Sequence, residues 1–125
     1  MLRSAGRWRI GLAVTLLVGG VLSAIAYVRG LPELRVIPQL DKVLHFGLAG
    51  SIAFFLHGVL KQRRVLTLPL AGVLVVVACA IEEYMQRFVP TRNSSLGDFA
   101  ADVAGVVVSL AFARSRPAGS DRRSD

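Results

Sequence analysis

The sequence contains few charged residues and almost no cysteine. Charged residues make up 18% of its 125 positions, below the roughly 25% of an average soluble domain, whereas 54% of the residues are hydrophobic. This balance excludes an intrinsically disordered chain and argues against a soluble globular protein. The single cysteine, Cys79, excludes a disulfide within the chain and a cysteine-rich zinc site.

Four apolar runs contain most of the hydrophobic residues. No segment of the sequence shows the alternation of apolar and polar residues that is typical of a β-strand. The runs cover Ile10–Val28, Val43–Leu60, about Leu68–Val89 and about Asp98–Ala113. Thr67 is a potential N-cap of the third run, and Pro90 closes it. The fold class predicted is therefore all-α: an integral membrane bundle of four transmembrane helices over residues 1–113, followed by a disordered cytoplasmic tail over residues 114–125.

Acidic residues are scarce, with 8 Asp and Glu against 15 Lys and Arg and a net charge of +7. With the N-terminus inside, ten cations lie on the cytoplasmic side: Arg3, Arg7, Arg9, Lys61, Arg63, Arg64, Arg114, Arg116, Arg122 and Arg123. Five lie outside: Arg29, Arg35, Lys42, Arg87 and Arg92. The positive-inside rule thus predicts that both termini are cytoplasmic. Because this topology explains the positive charge, we expect no nucleic-acid partner.

An alternative for the first run is a cleaved signal peptide. Basic residues precede the run, and Ala24-Ile25-Ala26 resembles a small-residue cleavage site. The apolar stretch is longer than the usual 7–15 residues of a signal peptide, and three more runs follow it. An uncleaved first helix is therefore favoured.

Polar residues interrupt the spans mainly in one layer of the predicted membrane. An ionisable side chain at the bilayer centre costs roughly 2.5–3.5 kcal/mol on insertion scales, so each such residue requires an explanation. All the intramembrane carboxylates fall toward the outer side, whereas the inner half holds only His57. The sequence therefore predicts a polar pocket that opens at the outer leaflet. Its candidate residues are Asp41, Lys42, His45, Glu83, Gln86, Arg92, Asp98 and Asp102.

Helical spacing refines this pocket. Asp98 and Asp102 are four residues apart and share a helix face, whereas the adjacent Glu82 and Glu83 point about 100° apart, so only one of them can face a common site centrally. Ser95 with Asp98 fits a capping box, which is a purely structural explanation for Asp98. Asp102 lies one turn deeper, where a cap cannot explain it.

Small residues predict where the helices approach each other. Small-xxx-small faces are formed by Gly47 with Ser51 in the second run and by Ala100 with Ala104, or Ala101 with Gly105, in the fourth.

Three short motifs together resemble the VanZ-like membrane protein family. They are DKVLHF at 41–46, EEYMQRFVPTR at 82–92 and DFAADVAG at 98–105. The matching residues are Asp41, Lys42, His45, Phe46, Glu83, Gln86, Phe88, Pro90, Arg92, Asp98, Asp102 and Gly105. The resemblance covers about Leu34 to Ala113, and the loop departs slightly from the family by reading Val-Pro-Thr-Arg where Pro-Gly-Arg is frequent.

The resemblance implies a small multi-pass protein of the bacterial cytoplasmic (inner) membrane. The founding member of the family is associated with low-level resistance to the glycopeptide teicoplanin, and relatives accompany cell-envelope polysaccharide functions. We therefore expect a lipid bilayer, and a lipid-linked envelope precursor or its head group, as partners.

Several functions remain open for the pocket. A binding or modulating protein would hold a polar head group there, with Arg92 and Lys42 on its phosphate. An enzyme would use Glu83 or Asp102 as a general base beside His45, with or without a divalent metal ion. An exporter would couple protons to a cation, but its charges belong nearer the midplane. Structurally, the acids could instead pair with Arg87 and Arg92 as an ionic plug. The sequence decides neither the cofactor nor whether the protein forms a homo-oligomer.

Overall fold

A computed structural model describes residues 2–28, 40–90 and 95–115 of the chain. Within these ranges the protein is all-α, as predicted, with four helices. They are α1 (Leu2–Val28), α2 (Leu40–Val59), α3 (Leu70–Gln86) and α4 (Leu96–Ser115). Three of them are long and apolar enough to cross a membrane: α1, through Ala5–Ile25, α2 and α4. The chain is therefore a multi-pass membrane protein in contact with a lipid bilayer.

A short antiparallel hairpin joins α2 to α3, and the sequence did not predict it. Its strands are β1 (Arg64–Val65) and β2 (Leu68–Pro69), which pair Arg64 with Pro69 and Val65 with Leu68. Leu66 at the tip has a φ of 57°, which is unfavourable for a residue with a Cβ atom. Because Thr67 lies in this hairpin, its prediction as a helix cap is wrong.

The hairpin also sets where α3 begins. Pro69 occupies the N-cap position in extended conformation, with no side-chain cap bond, and the Leu70 N–H donates to the Arg63 carbonyl instead. The helix ends at Gln86, three residues before the predicted end, and Phe88 N–H then donates to the Met85 carbonyl in a tighter turn. At 17 residues the helix is about 26 Å long.

The apolar core lies where α2, α3 and α4 meet. It consists of Ala49, Ala53, Val75, Val106 and Leu110. Helix α2 packs most extensively against α4, since few of the core side chains on α2 are larger than alanine. Small side chains let two helix backbones approach each other closely.

The closest approach of α2 and α4 is at Gly105. A Cβ atom at this position would lie 2.1 Å from the Phe46 carbonyl oxygen, and one at Gly50 would lie 2.8 Å from the Gly105 carbonyl oxygen. Only glycine fits such a contact. The predicted small face at Gly105 is therefore used in packing, but its partner is Gly50, because Gly47 faces open space.

Helix α1 runs antiparallel to α2. The Trp8 ring packs on Phe54 and Phe55, whereas Gly19 lies near Leu48. Two ends of the bundle can therefore be defined. The polar end is where α2 and α4 begin and α3 ends, and the basic end is where α1 and α3 begin and α2 and α4 end.

Candidate functional site

The polar end brings together side chains from α2 and α4 that lie 57 residues apart in sequence. His45 Nδ1 is 3.0 Å from Asp102 Oδ1, and His45 Nε2 is 3.8 Å from Asp98 Oδ2. The imidazole thus lies between two carboxylates that are stacked on one face of α4. Both carboxylates are more than 90% buried, and His45 contacts both of them from α2.

Lys42 places a positive charge beside this pair. Its Nζ atom is 3.5 Å from Asp98 Oδ1 and 3.7 Å from Asp41 Oδ2. Lys42 and Asp41 are both 43% exposed, whereas Asp98 is buried. Asp41 therefore lies at the rim of the site, where solvent screens its interaction with Lys42.

Glu83 connects α3 to the first residues of α4. Its Oε1 atom accepts a hydrogen bond from the Ser95 N–H, while Ser95 Oγ accepts one from the Gly97 N–H at 3.1 Å. Ser95 is thus the N-cap of α4, as predicted. However, Glu83 makes the reciprocal bond that the capping-box pattern assigned to Asp98. Asp98 is consequently available to Lys42 and His45.

Gln86 and the two adjacent glutamates follow the predicted helical geometry. Glu83 is buried and Glu82 is exposed, so only one of the pair faces the site. Gln86 is 1% exposed, and its Nε2 donates to Glu82 Oε1 at 3.4 Å. Within the described part of the chain, Gln86 Oε1 has no hydrogen-bond partner. A buried acceptor without a donor is uncommon and costly.

Cys79 also lies near this region, although it was not among the candidate pocket residues predicted from the sequence. It borders the apolar core, and its thiol is close enough to the Asp102 carboxylate to interact with it electrostatically. The spacing of Cys79, Glu83 and Gln86 at i, i+4 and i+7 places the three on one face of α3. That periodicity could have identified Cys79 as a neighbour of the site.

We define the polar cluster as Lys42, His45, Glu83, Gln86, Asp98 and Asp102. It includes six of the eight predicted pocket residues. Asp41 lies at its rim, and Arg92 lies outside the described residues. No three metal-ligating side chains within residues 2–28, 40–90 and 95–115 converge on a common point that could hold a metal ion.

The imidazole of His45 has two chemical roles available. A neutral ring that donates from Nδ1 to Asp102 presents the Nε2 lone pair toward Asp98, whereas the imidazolium donates from both nitrogens. A carboxylate on Nδ1 fixes the orientation of the ring in either case. The arrangement can therefore hold or transfer a proton, and it can bind a polar group between α2 and α4.

Comparisons with protein-family models, with curated proteins and with solved structures find no match to this chain.

Proposed function

We propose that this chain is a VanZ-like protein of the bacterial cytoplasmic membrane, and that its polar cluster binds the head group of a lipid-linked cell-envelope molecule at the outer leaflet. By holding that head group, the protein would modulate the envelope process to which the lipid belongs. The motifs at 41–46, 82–92 and 98–105 support the family part of this proposal. The geometry of the cluster supports the binding part.

One observation carries the proposal: His45, Asp98 and Asp102 are joined within 3.8 Å on helices that are long and apolar enough to span a membrane. Charged groups in such helices are expensive to insert, and they mark substrate or ion sites by default. Here they are also concentrated at one end of the bundle. A site that binds lipid head groups is expected to have charged groups of this kind at one end of the bundle, where the membrane meets water.

An apolar groove beside the cluster supports a lipid as the ligand. The groove has a volume of about 410 Å³ and lies between α2 and α4. It begins with Phe46, Gly47 and Gly105 and ends near the aromatic rings of Phe54 and Phe112. At about 30 Å³ per water-sized group, this volume accommodates a chain of roughly a dozen methylene groups. Two of its lining residues, Phe46 and Gly105, lie within one helical turn in sequence of His45 and Asp102 respectively.

The orientation of the protein follows from its cations. Those within the described residues divide unequally: Arg7, Arg9, Lys61, Arg63, Arg64 and Arg114 belong to the basic end, whereas Lys42 and Arg87 belong to the polar end. The positive-inside rule then places the basic end in the cytoplasm. In this arrangement α3 is the fourth span. At about 26 Å it is slightly shorter than a typical hydrocarbon core of ~30 Å, a mismatch that local bilayer thinning accommodates.

Reporter fusions test this topology. We expect a fusion after Arg64 to report a cytoplasmic location and a fusion after Asn93 to report an external one. The opposite pattern, or a mature N-terminus that begins near Tyr27, would exclude the four-span arrangement.

Lipid analysis tests the binding function. We expect wild-type protein purified in mild detergent to retain a lipid that mass spectrometry identifies, and Asp102→Asn to lose it together with the cellular phenotype. Asp125→Asn, in the C-terminal region, is the matched control and should retain both. Equal lipid retention by the two variants would contradict the proposal.

The second candidate function is a membrane enzyme that acts on a lipid-linked precursor. The 3.0 Å contact between Asp102 and His45 Nδ1 favours it, because a carboxylate on Nδ1 orients an imidazole for general-base catalysis at Nε2. In that reaction His45 would remove a proton from water or from an acceptor hydroxyl. The oxygen would then attack the head-group linkage, the bond between head group and lipid would break, and the imidazolium would return its proton to the departing oxygen. Release of the head group from the copurified lipid by wild-type protein, and its loss in His45→Gln, would distinguish the enzyme from the binding protein.

A further inference from the structure

The polar cluster carries more negative charge than its own cations neutralise. Three buried carboxylates, Glu83, Asp98 and Asp102, face one lysine and one histidine within the described residues. One negative charge remains even when His45 is an imidazolium. The nearby Glu82 and Asp41 are acidic as well, and Arg87, the other cation of the polar end among the described residues, is exposed and lies over the Tyr84 ring.

The cluster also contains an acceptor that no donor reaches. Gln86 is almost completely buried, and its Oε1 atom has no partner among the residues that the structure describes. The side chain lies on the same face of α3 as Val75, Cys79 and Glu83, and this face packs against α2 and α4. The unpaired oxygen is therefore buried where α3 packs against α2 and α4, on the helix face that also carries Glu83.

From these two observations we infer that the ligand of the polar cluster carries a protonated primary amine, which binds to the Glu83 carboxylate and the Gln86 side-chain carbonyl beside Asp102. This inference rests on the proposed head-group function and names the chemistry of the head group. An ammonium has three donors and no acceptor. It supplies the missing donor to Gln86 and the missing positive charge to the carboxylates, in charge-assisted hydrogen bonds.

A phosphate or a neutral sugar does not match these groups. A phosphate group adds negative charge and acceptors to a buried site that already has an excess of both, which is costly in a low dielectric. A hydroxyl group offers one donor but leaves the charge unbalanced. In a lipid-linked molecule, the amine would belong to an ethanolamine or an amino-sugar group. The same chemistry is present in a free amine.

Paired ligands test the inference. For purified wild-type protein, we expect native mass spectrometry to show at least tenfold tighter binding of phosphatidylethanolamine than of phosphatidylglycerol with the same acyl chains, or thermal-shift titration to show the same preference for glucosamine over N-acetylglucosamine. The first result identifies a lipid as the source of the amine, and the second identifies a soluble or glycan amine. Absence of an amine preference in both pairs overturns the inference, and the proposed function stands if lipid binding still depends on Asp102.

Two pairs of variants locate the amine. We expect Glu83→Gln to reduce the amine preference at least tenfold, whereas Glu82→Gln, the same change on the exposed neighbour, leaves it within a factor of two. Likewise, Gln86→Met should weaken amine binding, and Gln62→Met at the basic end should not. Each variant is first checked for wild-type thermal stability in detergent. If Gln86→Met does not fold, Glu83→Gln alone decides, because the glutamine amide oxygen can still accept from the Ser95 N–H. Equal loss in Glu82→Gln and Glu83→Gln would overturn the assignment.

Discussion

The two ends of the bundle differ in whether their charged side chains are exposed or buried. At the basic end, Arg64 and Arg114 are exposed, and the buried hydrophobic side chains nearby are aliphatic: Ala53, Ala71 and Leu110. At the polar end, Glu83, Asp98 and Asp102 are buried and bonded to other helices or to helix termini.

This difference separates charges that need no special explanation from charges that do. An exposed arginine at a membrane interface costs little and orients the protein. A buried carboxylate between helices costs several kcal/mol unless it is paired and hydrogen-bonded. At the polar end, residues of three helices pair these carboxylates. The pairing leaves an excess of negative charge and one hydrogen-bond acceptor, Gln86 Oε1, without a donor. The place to look for function is therefore the polar end.

The largest expected effect comes from separating α2 and α4 just below the polar cluster. Gly105→Ala puts a Cβ atom 2.1 Å from the Phe46 carbonyl oxygen, so the helices must move apart. We expect a loss of about 1–3 kcal/mol or more, seen as a lower Tm in detergent, together with loss of the ligand. Gly47→Ala is the matched control for Tm, since no atom lies within 4 Å of its Cβ position. Equal Tm values for the two variants would contradict this description of the crossing.

The next effect separates a binding site from an ionic plug. If the acids form a working pocket, Glu83→Gln and Asp102→Asn should remain within about 1 kcal/mol of wild type or become more stable, because like charges no longer crowd together. Ligand and phenotype should nevertheless be lost. Thermal stability is measured in detergent beside copurified ligand and phenotype. A clear drop in stability, with function falling only in proportion to the folded protein, would identify a structural ion network instead.

A third comparison uses the histidine at each end. His45→Ala should abolish ligand binding and phenotype, because it removes the contacts to Asp98 and Asp102. His57→Ala should retain both. His57 is buried, and its Nδ1 atom has no hydrogen-bond partner in the described structure. Its replacement loses packing contacts but also removes a buried nitrogen without a partner, so we expect the free energy of unfolding to change by only about 1 kcal/mol. Equal damage to phenotype in the two variants would remove the distinction between the ends.

The smallest effect concerns the hairpin at the basic end. Leu66 is 95% exposed and has a left-handed backbone conformation, with φ at 57°, which asparagine adopts more readily than leucine. Leu66→Asn should therefore raise stability by about 0.5–1 kcal/mol without changing ligand binding. Val65→Asn, in the neighbouring strand, is the control and should give no gain. A lower Tm for Leu66→Asn would show that the leucine side chain contributes more as a membrane contact than its backbone conformation costs.

Much of the fold was readable from periodicity and composition. The apolar runs predicted four helices because a charge-free stretch in a membrane must satisfy its backbone hydrogen bonds internally. The spacing of Asp98 and Asp102 placed both on one face of α4, and the adjacent positions of Glu82 and Glu83 meant that only one of them could be buried. The cap at Ser95 was predictable for the same reason, since it depends on residues close in sequence.

The tertiary structure decided which residues meet across helices. It selected Gly50 rather than Gly47 to contact Gly105, and Glu83 rather than Asp98 to bond the Ser95 N–H. It also placed Cys79 within electrostatic range of Asp102. Helical periodicity determines the residues that share a face, but the rotation and axial shift of one helix against another depend on how side chains of different sizes pack. For this reason the sequence by itself determined the helices and the end at which the acids lie, and only the packing of α2, α3 and α4 decided which groups are paired there and which acceptor is left without a donor.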